Sequence, residues 1–69
     1  MEMFPCESSL IASYGYDPKT RELRIDFHKG GVYSYADVPQ EAFEEFLRSS
    51  SKGKHFLSDI KGKYTFTKL

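Results

Sequence analysis

Glu22-Leu23-Arg24-Ile25-Asp26-Phe27-His28-Lys29-Gly30-Gly31-Val32-Tyr33-Ser34-Tyr35 is the stretch whose reading decides the fold of this chain. Leu23, Ile25 and Phe27 alternate strictly with charged residues, which describes a strand with one buried face and one solvated face. Lys29-Gly30-Gly31 supplies turn chemistry, and Val32 to Ala36 reads as the returning strand of a hairpin. Side chains on a strand alternate, so Tyr33 and Tyr35 lie on the same face.

The length of the turn decides which face that is. A two-residue loop of Lys29-Gly30 pairs His28 with Gly31 and sets Tyr33 opposite Asp26, on the charged side. The rings would then form an outward stacking platform beside Arg24 and His28, as aromatics do on RNA-binding sheets. A three-residue loop of His28-Lys29-Gly30, with Gly30 left-handed, pairs Phe27 with Gly31 instead. That register brings Tyr33 beside Ile25 and Tyr35 beside Leu23. It is the favoured one, because a short chain with few aliphatic residues needs both rings in its core.

Composition supports that need. Sixty-nine residues make one domain, residues 1–69, with 1–7 expected to be loosely ordered. The single cysteine, Cys6, excludes an internal disulfide and fits a reducing, cytoplasmic setting. Six Phe and five Tyr must therefore supply much of the buried area. No stretch has the length of a membrane span, and Glu2, Pro5 and Glu7 interrupt the region where a secretory signal would lie. Net charge is zero, yet nine acids face four bases up to Glu45, and six bases face Asp59 alone from Phe46 onward. Such asymmetry points to an anionic partner or to two halves that pack together.

Outward from the hairpin, Ser8 to Tyr16 reads as a preceding strand, with Gly15 marking a bulge or a close backbone approach. Asp17-Pro18-Lys19-Thr20 is the turn between them, Asp17 bonding forward and Pro18 presetting the dihedral. Pro39 to Ser49 is a helix opened by Val38-Pro39, with Ala42, Phe43, Phe46 and Leu47 as its apolar stripe opposite Glu41, Glu44 and Glu45. A second helix runs from about Gly53 to Lys61 on Phe56, Leu57 and Ile60, and Gly62 stops it. Tyr64 to Thr67 alternates and is a possible short last strand. The expectation is an α+β domain: a three-stranded antiparallel meander followed by two helices packed on one face.

Two echoes carry the charge of the C-terminal half: Ser51-Lys52-Gly53-Lys54-His55-Phe56 and Ile60-Lys61-Gly62-Lys63-Tyr64. Glycine admits a phosphate close to the backbone, lysine supplies charge, and a ring stacks on a base. Lys52, Gly53, Lys54, Lys61 and Lys63, with Ser51 and Arg48, are the candidate nucleic-acid contacts. The same residues also read as ordinary helix ends, with serine caps, glycine turns and core aromatics. His28, His55 and Cys6 match no zinc spacing, so no metal is expected. No nucleophile elbow, phosphate loop or paired acid and base occurs, so neither a cofactor nor an enzyme is expected.

Ser8-Ser9, Gly15-Tyr16-Asp17, Leu23-x-Ile25-x-Phe27, Gly30, Tyr33-x-Tyr35 and Val38-Pro39 follow one another in an order that resembles the KTSC domain family. Phe43, Ser51-x-Gly53 with Phe56, and Ile60 ahead of Tyr64 continue the pattern across almost the whole chain. The resemblance implies a free-standing bacterial or phage domain. The family, named for the C-terminus of lysyl-tRNA synthetases, has no established activity; that association makes weak RNA binding through the lysine-rich C-terminal face the expected function. The alternative is a protein-interaction module or a homodimerising accessory protein, the open edges of the sheet offering strand addition.

Overall fold

In the computed structural model, which describes all residues 1–69, the hairpin is the centre of a five-stranded antiparallel sheet. The strands are β1 (Phe4–Pro5), β2 (Ile11–Asp17), β3 (Glu22–Phe27), β4 (Gly31–Tyr35) and β5 (Phe66–Lys68), lying side by side in chain order. Helices α1 (Gln40–Arg48) and α2 (Lys52–His55) connect β4 to β5, and α2 runs on into a π-helical turn over Phe56–Ile60. The expected meander of three strands is therefore too small. β1 adds to its front edge through Phe4 opposite Tyr14, and β5 returns alongside β4 with Phe66 opposite Tyr35. A two-residue strand has no periodicity to detect, and Pro5 is tolerated in it only because the edge requires no donor there.

The hairpin adopts the three-residue loop. Phe27 pairs with Gly31, Ile25 with Tyr33 and Leu23 with Tyr35. Gly30 and Gly31 both carry positive φ, 131° and 84°, which a residue with a Cβ rarely adopts. At the preceding turn Lys19 N–H donates to Asp17 Oδ1 at 2.9 Å, and Arg21 closes the turn with φ 63°.

β2 needs a correction of parity before it can join the same core. Ile11, Tyr14 and Tyr16 cannot share a face of a regular strand, since the first is odd and the others even. Ala12 is bulged out between Ile11, opposite Phe27, and Ser13, opposite Asp26, and this extra residue restores the match. Gly15 is thus the site of a close approach rather than of the bulge. A Cβ there would lie 2.7 Å from the Glu2 carbonyl oxygen and 2.7 Å from Met3 Sδ, so the N-terminal segment crosses the back of the sheet over it. The strand also begins at Ile11 and not at Ser8. The Ser8 hydroxyl accepts from the N–H groups of Leu10 and Ile11 at 3.1 and 3.2 Å, an alternative to ladder pairing that serine often offers.

Both helices cover the face that carries Leu23 and Ile25. The buried cluster is Ile11, Leu23, Ile25, Tyr35, Val38, Phe46, Phe56 and Ile60. Phe46 meets Tyr14 edge-on at 5.4 Å, and Phe56 meets Tyr35 in the same way at 5.4 Å. Tyr16 stacks on Phe43 at 4.5 Å and 14°, and its hydroxyl donates to the Val38 carbonyl at 2.6 Å, tying β2 to the start of α1. Pro39 sits one position outside the helix as its cap, with ψ 152°. Leu47, expected in the apolar stripe, is 39% exposed, because α1 rests on the sheet through Ala42, Phe43 and Phe46.

Lys61 N–H reaches back to the Phe56 carbonyl at 2.8 Å, an i to i−5 bond that gives the π-turn. Phe56 and Ile60 are buried while Leu57 turns outward, and Gly62, at φ 80°, ends the element.

The opposite face of the sheet is polar. Ser34 Oγ donates to Glu22 Oε2 at 2.6 Å across the strands, and Arg24 adds Nε and Nη2 at 3.1 and 2.8 Å. The Ser34 hydroxyl, and after it the Arg24 guanidinium, hold the Glu22 carboxyl below the usual glutamate range. A depressed folded value stabilises the fold fully above the unfolded value, and the contribution is lost as pH falls through the folded one. Glu22→Gln should thus lower the thermal midpoint at neutral pH, through a loss of about 1 kcal/mol or less for so accessible a group. The gap from the unsubstituted protein should close in acid. A gap unchanged between pH 7 and strong acid would remove the carboxylate from the explanation.

Candidate nucleic-acid interface

Two adjoining clefts lie along α2 and the π-turn. One is polar, about 390 Å³, and is lined by Ser8, Ser9, Ser50, Ser51, Lys52, Gly53 and Lys54, with Glu7 as its one acid. Ser8 and Ser9 arrive from the loop before β2, and Ser51 to Lys54 from the start of α2. The two meet because Gly53 has no side chain: a Cβ there would stand 3.0 Å from Ser8 Oγ and 3.5 Å from Leu10 Cβ. Gly53 is therefore accounted for by helix-to-loop packing.

The second cleft, about 320 Å³, is aromatic. Phe27, Tyr33, Tyr35, Phe56 and Phe66 line it, and Lys29 and Lys61 stand among them with no carboxylate. Leu10 and Leu57 line both clefts and form the boundary between them.

The candidate cations divide over the surface. Lys52 and Lys54 line the polar cleft and Lys61 the aromatic one. Lys63 lines a separate cleft with Glu41, Glu45, His55 and Asp59, where His55 Nδ1 lies 3.2 Å from Asp59 Oδ2. Arg48 is exposed in the last turn of α1 and lines none of these clefts. The Lys-Gly-Lys echoes thus do not make a single lysine face. Lys61 and Lys63 lie in the turn beyond the π-turn, either side of Gly62 at φ 80°, and they line different clefts.

Tyr33 and Tyr35 also part company. Both point to the core face, but Tyr35 is buried at 4% exposure while Tyr33 is half-buried at the rim of the aromatic cleft. Burial pushes the Tyr35 hydroxyl above the ordinary tyrosine range, with the neighbouring Tyr33 adding to the effect. A platform beside Arg24 does not form. Arg24 is held by Glu22 on the opposite face, and His28 Nε2 is engaged with the Ser8 carbonyl at 2.8 Å.

Among the lining residues that sequence reasoning gave no functional role are Lys29, Leu10, Leu57 and Phe66. Lys68 is a fifth cation nearby, its Nζ 6.0 Å from the centre of the Tyr33 ring. It reaches that position only because β5 places it opposite Tyr33, a pairing that no local pattern reveals. No group of three His, Cys, Asp or Glu side chains is arranged to hold a metal ion, and no helix is long and apolar enough to cross a membrane.

The chain is a small α+β domain in which a serine loop packs on a helical glycine beside an aromatic cleft. The family model described as the KTSC domain matches residues 7–64, and the chain belongs to that family. The crystal structure of a KTSC domain protein from Yersinia pestis is similar with a TM-score of 0.96 at 43% identity, covering 99% of this chain and 96% of that one. A lysine–tRNA ligase of Nostoc punctiforme is 43% identical over 63 residues, which are 91% of this chain and 11% of the ligase. The chain thus spans only a small part of the ligase it matches. An uncharacterised protein of Stutzerimonas stutzeri is 38% identical over 56 residues, 81% of this chain and 79% of that protein.

Proposed function

We propose that the domain is an RNA-binding module rather than an enzyme, and that it holds the RNA backbone through Lys52, Lys54 and Lys61. The observation that carries this reading is the placement of these cations around two adjoining clefts, where Glu7 is the one acid. The similarity to part of a lysine–tRNA ligase supports RNA as the partner. Ser51 lies in the polar cleft and adds a hydroxyl donor for phosphate oxygen.

Three phosphate contacts to a single strand give a slope of log affinity against log salt of roughly −2.1. Between about 50 and 200 mM salt, binding should weaken roughly twentyfold. Fluorescence anisotropy with a labelled, unstructured RNA oligonucleotide measures this directly. Removing Lys52 and Lys54 together by substitution with Gln should flatten the slope by about 1.4. Binding that ignores salt, or that ignores these two lysines, would overturn the reading.

The edge of the sheet favours a second reading, self-association. β5 has no partner on its outer side, and Phe66 and Leu69 are exposed there. Sedimentation across a concentration range separates the two, since a tight dimer indifferent to RNA belongs to the second.

A further inference from the structure

The aromatic cleft is built differently from the rest of the aromatic packing. At the other end of the sheet Tyr16 and Phe43 lie face to face, 4.5 Å apart and 14° from parallel, and use up each other's ring faces. Around the cleft no such pairing occurs. Phe27 meets Tyr33 at 81° and Phe56 at 65°, edge to face, and these three form its floor and one wall. Phe66 tilts at 43° from Tyr33 and 42° from Tyr35, stacked on neither, and is 56% exposed. A large ring with an uncovered face beside an apolar hollow is a surface that stacks well on another planar group.

Charge selects among planar groups. Lys29 comes from the hairpin turn and Lys61 from the end of the π-turn, so cations approach the hollow from two different elements. Lys68, in the edge strand β5, holds its Nζ over the Tyr33 ring. With no carboxylate among the lining residues, the cleft suits a flat apolar body joined to an anion, which is the chemistry of a nucleotide unit.

We infer that this cleft seats one unpaired base of an RNA chain against Phe66 and Tyr33, and that the domain therefore takes single-stranded RNA in preference to duplex. The inference rests on the RNA reading above and names what that reading leaves open. A base within a duplex has both faces covered by its neighbours, and entering the cleft would require it to leave the stack. The volume, about 320 Å³, lies at the small end of ligand-binding clefts and suits one base rather than a stack of them. Lys61 takes a flanking phosphate, while Lys52 and Lys54 continue the path of the backbone beyond Leu57.

The test uses one labelled, unstructured RNA oligonucleotide, alone and annealed to its complement, titrated by anisotropy at low salt. Unsubstituted protein should bind the single strand more tightly than the duplex. Phe66→Ala should weaken single-strand binding by roughly five- to a hundredfold, the range found for loss of one stacked base, and leave duplex binding unchanged. Phe66 is exposed, so the variant should keep its circular dichroism spectrum. Lys61→Gln is the second variant and should weaken both forms and reduce the salt slope. If duplex binds as tightly as the single strand, or if Phe66→Ala leaves single-strand affinity intact, the base-seating inference fails while RNA binding stands. If neither RNA binds at low salt, the RNA reading itself fails and takes this inference with it.

Discussion

Phe46→Ala should remove a large share of the fold's stability. Phe46 is fully buried, and it is where α1 meets the sheet, touching Tyr14 edge-on and Phe43 alongside. Truncating a buried phenylalanine costs about 3–5 kcal/mol, from lost transfer energy and from the cavity left behind. A domain of this length has a total stability of roughly 3–10 kcal/mol, so the substitution consumes much or all of it. Neighbouring residues can do little to refill the space, because Ile11, Leu23, Ile25 and Ile60 already lie in one cluster with it. Chemical denaturation with circular dichroism gives the answer, and Phe46→Leu, which keeps most of the volume, should retain a cooperative transition. A Phe46→Ala protein that unfolds at nearly the denaturant midpoint of the parent would show that α1 is not held by this ring.

Deletion of Gly30 should also destabilise the fold, through a different cause. One route preserves the pairing of Phe27 with Gly31 by closing the turn on His28 and Lys29 alone. A two-residue hairpin turn requires positive φ at one or both of its residues, and neither has the freedom of glycine. Each such residue costs about 1–2 kcal/mol. The other route keeps three residues in the turn and slips the register by one. Every side chain of β4 would then change face, exposing Tyr35, whose burial is worth about 1.5–3 kcal/mol, and burying Ser34 without its Glu22 partner. The first route costs at least about 1 kcal/mol and the second at least about 1.5 kcal/mol. Cross-strand amide contacts between β3 and β4 tell them apart by NMR. A deletion variant with the parent's register and the parent's midpoint would refute the role given to this turn.

The central hairpin was legible because three independent signals agree: strict alternation in Glu22–Phe27, turn chemistry at Lys29-Gly30-Gly31, and the demand of a small core for rings. The helices were legible to within a residue or two for the same reason, through Phe43 and Phe46, then Phe56 and Ile60. The two edge strands were harder to see. β1 is too short to carry a period, and β5 starts two residues beyond the alternation at Tyr64 because Tyr64 is drawn toward the core. The bulge at Ala12 is hidden in the sequence, since a bulge without glycine leaves no compositional mark.

Legibility of the candidate site followed the same division. Lys52, Lys54 and Lys61 stand out by sequence, but their separation from Lys63 depends on where α2 ends and on the acids of α1 across from it. The aromatic cleft is assembled from β3, β4, the π-turn and β5 together. Only the register of the last of these brings Phe66 and Lys68 to it, and that register is a tertiary property.

Leu57 stands with 51% of its surface in solvent and serves as a party wall between two chambers of unlike character. Shortening it would open one compartment into the next, so a variant at this position alters both clefts at once. A strand of RNA lying across that partition would make the two halves of its own footprint communicate through a single aliphatic side chain.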